Sequence, residues 1–138
     1  MDTILPWSLR KVLTDSDAGL TLLNLAATVL VVPGVVLDVG SLIAFLRHRT
    51  TVNPYTPEKS SHLVTGGAYR FSRNPMYLGM LLVLTGVVVW IGNPLGLVLP
   101  PPFIMLLTVI QIVPEEKVLA VRFGQRYQDY KKSVRRWL

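Results

Sequence analysis

The sequence contains no cysteine, which excludes disulfide bonds, thiolate catalysis and metal sites that use cysteine. Charge is also scarce, because charged residues make up 16% of the 138-residue chain whereas apolar residues make up 51%. Soluble domains usually carry about 25% charged residues. The low charge, and its separation from long apolar stretches, predict an all-α integral membrane protein of one domain.

Acidic residues are few, since 8 Asp and Glu stand against 14 Lys and Arg and leave a net charge of +6. The basic residues flank apolar stretches, which is typical of the positive-inside rule and not of a nucleic-acid surface. We therefore expect a lipid bilayer as the partner, and no nucleic acid. Residues 1–17 lack the apolar core of a signal peptide and are predicted to form an interfacial segment.

The first membrane segment is predicted over residues 18–46. At about 1.5 Å per residue it is longer than a hydrocarbon core of about 30 Å requires. Pro33 and Gly34 lie near its middle. One long span kinked at Pro33 is the simplest interpretation, and a shallow hairpin broken at Pro33-Gly34 is the alternative.

Two further membrane helices are predicted within residues 47–138, which gives about three in total. The second span covers residues 76–92. The third covers residues 102–113, and residues 95–99 form an apolar connector between the two.

The polar stretches on either side of this two-span hairpin are strongly basic. Residues 47–75 carry seven Lys, Arg and His residues against one acid, and residues 114–138 are also basic. Basic segments of membrane proteins face the cytoplasm. We therefore expect the loop of residues 47–75 and the C-terminus on the cytoplasmic side.

Polar groups converge at the cytoplasmic ends of the second and third spans. Gly66-Gly67 allows a sharp turn or the close approach of a ligand. Pro75 marks the first turn of a helix, where free N–H groups and the charge of Arg73 favour an anion. The hairpin brings Glu115-Glu116 back to the same face. Such a pocket suits a zwitterion with an aromatic base, of which S-adenosylmethionine is one candidate among several.

Three motifs in this order resemble a known family: LVTGGAYRFSRNPMYLG, the pair Glu115-Glu116, and RFGQRYQDYKKSVRRWL. They resemble the membrane methyltransferases that include isoprenylcysteine carboxyl methyltransferases and phospholipid N-methyltransferases. The resemblance covers residues 61–138 and implies S-adenosylmethionine as the cofactor, bound on the cytoplasmic side. Residues 47–138 would then form the methyltransferase core.

The resemblance implies cofactor contacts in both halves of this core. Gly79 completes the motif of the second span, and Tyr127 and Tyr130 match a C-terminal pattern that helps to close a lid. The implied cofactor contacts are Ser61, His62, Leu63, Val64, Tyr69, Asn74, Pro75, Met76, Tyr77 and Glu115.

Two positions depart from the family pattern. Many members have histidine where this chain has Asn74, so hydrogen bonding is retained but a titratable group is lost. Prenylcysteine methyltransferases have a substrate-binding arginine where this chain has Gln111. Because glutamine offers no charged fork for a carboxylate, this position weakens the case for a prenylcysteine substrate.

The predicted activity is methyl transfer to a membrane lipid or another lipophilic acceptor, with a slight preference for a phospholipid amine. An amine must lose a proton, and His62, Tyr77 and Glu116 are the candidate bases. Gln111, Arg73 and Asp38 are the candidate substrate contacts, because an ionisable residue inside a span indicates function.

Other functions stay open at this stage. A carboxylate or thiol acceptor of the isoprenylcysteine type is the first alternative. A non-enzymatic scaffold that binds anionic lipid is the second. No metal site is predicted.

Overall fold

The computed structural model describes residues 15–49 and 63–138, without the side chains of residues 48 and 49. All regular structure in these residues is helical. Five α-helices are separated by 3₁₀ turns over Gly67–Arg70 and Pro94–Val98 and by a π turn over Thr108–Ile112. The α-helices are α1 (Asp17–Arg49), α2 (Pro75–Ile91), α3 (Pro100–Leu107), α4 (Val113–Phe123) and α5 (Gln125–Ser133).

Helix α1 is a single continuous helix of 33 residues with Pro33 inside it. The Ser16 hydroxyl caps its first turn by accepting the Gly19 N–H at 3.0 Å. The hairpin alternative for residues 18–46 is therefore wrong, and the single long helix is confirmed. The predicted interfacial segment of residues 1–17 lies mostly outside the described residues.

Helices α1 and α2 pack against each other at glycine residues, which have no side chain to separate the two backbones. A Cβ atom on Gly34 would lie 2.8 Å from the carbonyl oxygen of Gly79, and one on Gly86 would lie 2.5 Å from a Val31 methyl group. The buried residues of α1 include Ala27 and Gly34, seven positions apart, as are Gly79 and Gly86 on α2. Small residues at this spacing let two membrane helices approach closely.

The bounds of α2 follow from local sequence. Pro75 occupies the first helical turn, where its missing N–H costs nothing. Gly92 ends the helix with a positive φ of 69°, the usual left-handed cap. The helix predicted over residues 76–92 is thus confirmed within one residue at each end.

The third apolar segment is longer than predicted. A 3₁₀ turn occupies most of the supposed connector, and α3, the π turn and α4 then follow without a break. Pro114 cannot donate a bond to the preceding turn, and the π turn just before it absorbs this defect. The prediction that the third span ends at residue 113 is wrong, because the helix continues past Glu115 and Glu116 to Phe123.

Within residues 15–49 and 63–138, two segments are long and apolar enough to cross a membrane. They are Asp17–Arg47 and Pro94–Phe123. In the most apolar 18-residue stretch of each segment, only 11% and 6% of the residues are buried inside the protein. Core helices of soluble proteins would be mostly buried. Helix α2 has 17 residues and is about 26 Å long, so two of the three predicted spans meet the criterion.

Candidate active site

A tight turn precedes helix α2. Gly67 has a φ of 61°, which favours glycine and explains the Gly66-Gly67 pair as a turn signal. The 3₁₀ turn Gly67–Arg70 follows, and the Ser72 hydroxyl then accepts the Asn74 N–H at 3.1 Å. We call residues 72–77 the α2 entrance.

A tyrosine cluster fixes α5 beneath this turn. Gly124, with a φ of 54°, reverses the chain between α4 and α5. Tyr127 and Tyr130 are buried together with Val134, and Leu63, Tyr69, Leu119, Ala120 and Phe123 pack around them. The Tyr130 hydroxyl donates to the Tyr69 carbonyl at 2.7 Å. Burial and the neighbouring Tyr69 raise the pKa of Tyr130 to about 12.

The C-terminal segment, residues 134–138, pairs with the α2 entrance. The Arg73 N–H donates to the Arg135 carbonyl at 3.0 Å. The Asn74 amide donates to the Arg136 carbonyl at 3.0 Å, and the Ser72 hydroxyl reaches the same oxygen at 3.4 Å. Residues more than sixty positions apart thus meet at the start of α2.

Glu116 joins the C-terminal segment to the α2 entrance by charge. Arg136 donates to both of its carboxylate oxygens, at 2.9 and 2.8 Å, and Arg73 lies 3.1 Å from one of them. The Glu116 and Arg73 side chains are only 12% and 11% exposed. The hydrogen bond to Glu116 raises the pKa of Arg136 above its usual value. This bidentate pair fixes the geometry of three chain segments.

Glu115 contacts the other side of the α2 entrance. The Tyr77 hydroxyl and the Gln111 amide both donate to its Oε1, each at 2.7 Å. Burial and then the charge of Glu115 raise the pKa of Tyr69, so the Tyr69 hydroxyl lies within electrostatic reach of the same carboxylate. Two tyrosines and a carboxylate therefore line one side of the site.

The structure brings most of the predicted site residues together. Leu63 lies near the same cluster and Val64 is half-buried beside it in sequence. Pro75 is fully buried and Met76 half-buried at the helix start. Ser61 and His62 lie outside the described residues. Tyr77 and Gln111 contact Glu115, and Arg73 contacts Glu116. Asn74 joins this group through the Arg136 carbonyl, and Tyr69 lies close enough for the charge of Glu115 to raise its pKa.

Asp38 does not join this group. Its carboxylate packs against Gly79, where a Cβ atom would overlap it, and its Oδ1 is buried without a hydrogen-bond partner. Tyr77 and Gly79 are two positions apart, so they point about 200° apart around α2. Asp38 therefore lies on the opposite side of α2 from Glu115.

Sequence reasoning missed Arg136 and Ser72. Arg136 contributes both its side chain and its carbonyl group, and Ser72 is only 1% exposed. Their signals were weak, because one lies in a run of basic residues and the other is a serine among polar neighbours. Their contacts with each other and with Glu116 became visible only in the structure, where the chain turns at Gly124.

The fold and the site define a helical membrane protein in which charged groups of separate helices meet at one end of the helices. The chain belongs to the phospholipid methyltransferase family, whose family model matches residues 22–126. This membership confirms the resemblance drawn from the motifs and places the chain in a family of methyltransferase enzymes.

Curated relatives agree with this assignment. Protein-S-isoprenylcysteine O-methyltransferase A of Arabidopsis thaliana is 29% identical over 106 residues, which cover 77% of this chain and 54% of the relative. The Saccharomyces cerevisiae protein-S-isoprenylcysteine O-methyltransferase is 39% identical over 83 residues, 57% of this chain and 34% of the relative. An uncharacterized Haemophilus influenzae protein is 43% identical over 63 residues, 46% of this chain and 100% of that protein. This chain thus spans about half or less of the named methyltransferases. No solved structure matches it.

Proposed function

We propose that this protein transfers a methyl group from S-adenosylmethionine to a lipophilic acceptor at the cytoplasmic surface of a membrane. The observation that carries the proposal is the 2.7 Å hydrogen bond from the Tyr77 hydroxyl to Glu115, which joins the α2 entrance to α4. The two partners of this bond belong to two different motifs of the methyltransferase family, Tyr77 to the first and Glu115 to the second. Methyl transfer needs positioning and exclusion of water more than acid–base chemistry, and a polar site at the end of apolar helices offers both.

The residues present fit a zwitterionic cofactor. The Arg73 Nε is buried and has no acceptor among the described residues, so it is available to an anionic group of the cofactor or the acceptor. Tyr77 and Gln111 use the same Glu115 oxygen, so Oε2 can accept from a hydroxyl or ammonium group. Tyr69, Asn74, Leu63 and Val64 are proposed to complete this wall, and Ser61 and His62 are proposed as further cofactor contacts. When bound, S-adenosylmethionine supplies an electrophilic methyl group on its sulfonium.

The candidate bases differ in the hydrogen bonds and ion pairs that they already form. Both Glu116 oxygens are held by guanidinium groups, which leaves this carboxylate poorly placed to take a proton. Tyr77 has its own proton on a 2.7 Å bond to Glu115. A proton from an acceptor ammonium can therefore pass to the Tyr77 oxygen while the tyrosine proton moves to Glu115. We propose this pair ahead of Glu116, with His62 as the third candidate.

The proposed acceptor is a phospholipid amine. The amide of Gln111 is occupied by Glu115 and carries no charge for a carboxylate substrate. Asp38, which the sequence suggested as a substrate contact, is not part of this proposal, because its carboxylate packs against Gly79 on the opposite side of α2 from Glu115. A carboxylate of the isoprenylcysteine type is the second candidate, and the names of the Arabidopsis and yeast relatives favour it.

Calorimetry in detergent tests the cofactor. We expect the unmodified protein to bind S-adenosylmethionine, Glu115→Ala to abolish binding, and Tyr77→Phe to weaken it. Asp129→Asn is the matched control, because this exposed acid lies at the same end and its carboxylate accepts from the Gln125 amide, away from both glutamates. Absence of binding by the unmodified protein would overturn the proposal and favour a non-enzymatic scaffold.

Incubation with labelled donor and total membrane lipid identifies the acceptor. We expect the label in an aminophospholipid. Label that appears only in prenylcysteine-like acceptors would establish the second candidate, and the use made here of Gln111 would then be wrong.

A further inference from the structure

Exposed cations and exposed apolar side chains lie side by side where α5 and the C-terminal segment meet the α2 entrance. The Tyr130 hydroxyl reaches the carbonyls of Tyr69 at 2.7 Å and Ser72 at 3.5 Å, which places the two intervening residues beside α5. The bond from the Arg73 N–H to the Arg135 carbonyl, 3.0 Å, brings the C-terminal segment to the same place. We call the exposed residues around this junction the rim patch: Arg70, Phe71, Lys131, Lys132, Arg135 and Leu138.

The rim cations are only weakly balanced by nearby carboxylates, since Lys131 alone among them interacts with Glu116, at longer range than an ion pair. Glu116 is engaged by Arg73 and Arg136, and Glu115 by Tyr77. Asp129 accepts from the Gln125 amide at 2.9 Å. Over residues 15–49 and 63–138, none of the four rim cations takes part in an ion pair. Lys131 also lies 5.8 Å from the centre of the Tyr127 ring, so the patch presents a net positive charge next to the site that Arg70, Lys132 and Arg135 dominate.

The apolar members of the patch are unusually exposed for residues at a polar end. Phe71 is 75% exposed and Leu138 is 71% exposed. Water is a poor environment for both side chains. Cations alternating with exposed apolar groups are typical of surfaces that lie at the headgroup level of a bilayer. The cations select charge and the apolar residues select a lipid phase, so both together fit an anionic lipid surface better than a soluble acidic ligand.

We propose that the rim patch binds the headgroups of anionic phospholipids in the leaflet at which the α2 entrance opens, with Phe71 and Leu138 among the acyl chains. Each Lys or Arg close to an anionic surface strengthens binding by about fivefold. This binding does not depend on methyl transfer, and its test below uses no methyl donor. It would surround the mouth of the site with phosphate groups whatever the acceptor is.

Tryptophan quenching provides the test, because Trp137 adjoins the patch. The full chain with Trp7→Phe and Trp90→Phe is reconstituted in phosphatidylcholine bilayers, and brominated phosphatidylglycerol is compared with brominated phosphatidylcholine. We expect phosphatidylglycerol to associate near Trp137 at least about fivefold more strongly. Substitution of all four rim cations by glutamine should make the two lipids associate about equally near Trp137. Arg126→Gln, an exposed cation of α5 outside the patch, should leave the preference in place.

Two comparisons make the result specific. A variant that keeps only Trp90, which is 64% exposed near the other end of α2, should show no preference. Equal quenching of Trp137 by both lipids, or a preference that survives removal of the four charges, would overturn the proposal. If the variant without the four charges does not fold, the lipid preference of the protein that retains them is measured at low and at high ionic strength. A preference that does not change between the two is not electrostatic and would overturn the proposal.

Discussion

Along the α1–α2 contact the closest approaches involve glycines and backbone, whereas at the α2 entrance they involve charged and hydroxyl groups. Gly34 and Gly79 meet with no side chain between them. At the α2 entrance, by contrast, two arginines bind Glu116. Lipid offers no hydrophobic driving force for helix pairing, so close packing of small residues stabilises the first region. At the membrane surface buried charges must be paired, so complementary groups stabilise the second.

This difference predicts that the two regions respond to opposite kinds of substitution. Adding atoms should destabilise the glycine contact, and removing atoms should destabilise the charged cluster. The following variants, ordered by expected effect, test that contrast by unfolding in detergent, followed by circular dichroism.

Glu116→Ala should give the largest effect. It leaves Arg73, whose side chain is 11% exposed, without its carboxylate partner. Breaking a buried pair in this way costs about 3–5 kcal/mol. Asp129→Ala removes an exposed acid from the same end and serves as the control. A loss no larger than that of the control would show that the cluster does not stabilise the fold.

Gly34→Ala should come next, because the new Cβ would lie 2.8 Å from a backbone oxygen that cannot move aside. Overpacking of this kind costs about 1–3 kcal/mol. Gly40→Ala is the matched control on the same helix, where a Cβ meets nothing within 4 Å. There alanine should stabilise the helix by about 0.5–1 kcal/mol. Equal shifts in the two variants would refute the glycine contact.

Tyr130→Phe should have a smaller effect. It removes the hydroxyl that donates to the Tyr69 carbonyl at 2.7 Å, without changing the shape of the tyrosine cluster. The expected loss in free energy of unfolding is about 1 kcal/mol. An unchanged midpoint of unfolding would mean that water replaces this bond at no cost.

A further effect, outside this order, should appear only in alkaline solution. The pKa of Tyr130 is raised to about 12 in the folded protein, against about 10 in an unfolded chain. The folded state therefore holds the proton more tightly, and stability should fall as the pH rises from about 10 to about 12. Tyr130→Phe should make this fall shallower but not abolish it, since burial also raises the pKa of Tyr69 and Tyr127. Parallel curves for the two proteins would contradict the assignment.

The helices were predictable where one residue type decides the outcome. Long apolar runs and flanking charges predicted the membrane segments, and Pro75 predicted the start of α2 within one residue. Pro114 misled the prediction, because a proline usually ends a helix whereas here a π turn accommodates it. The end of the third helix was consequently placed about ten residues too early.

The motif residues of the site were predictable from the sequence, but the contacts that the C-terminal segment makes with them were not. Tyr77 and Glu115 could be placed together because a hairpin of two spans returns the chain to the same side. The pairing of Glu116 with Arg136 depends on a reversal at Gly124, and no periodic pattern signals which of several arginines will face inward. The glycine contact was missed for a related reason, since small residues seven positions apart carry no hydrophobic signal.

The bonds from Ser72 and Asn74 to the Arg136 carbonyl span 64 and 62 residues. During synthesis, α1 and α2 emerge and can insert as a pair long before residue 136 leaves the ribosome. Until then the Ser72 hydroxyl can accept only the local Asn74 N–H, and the side-chain amide of Asn74 lacks the Arg136 carbonyl. The contacts that join the α2 entrance to the C-terminal segment can therefore form only after α1 and α2 have both been made.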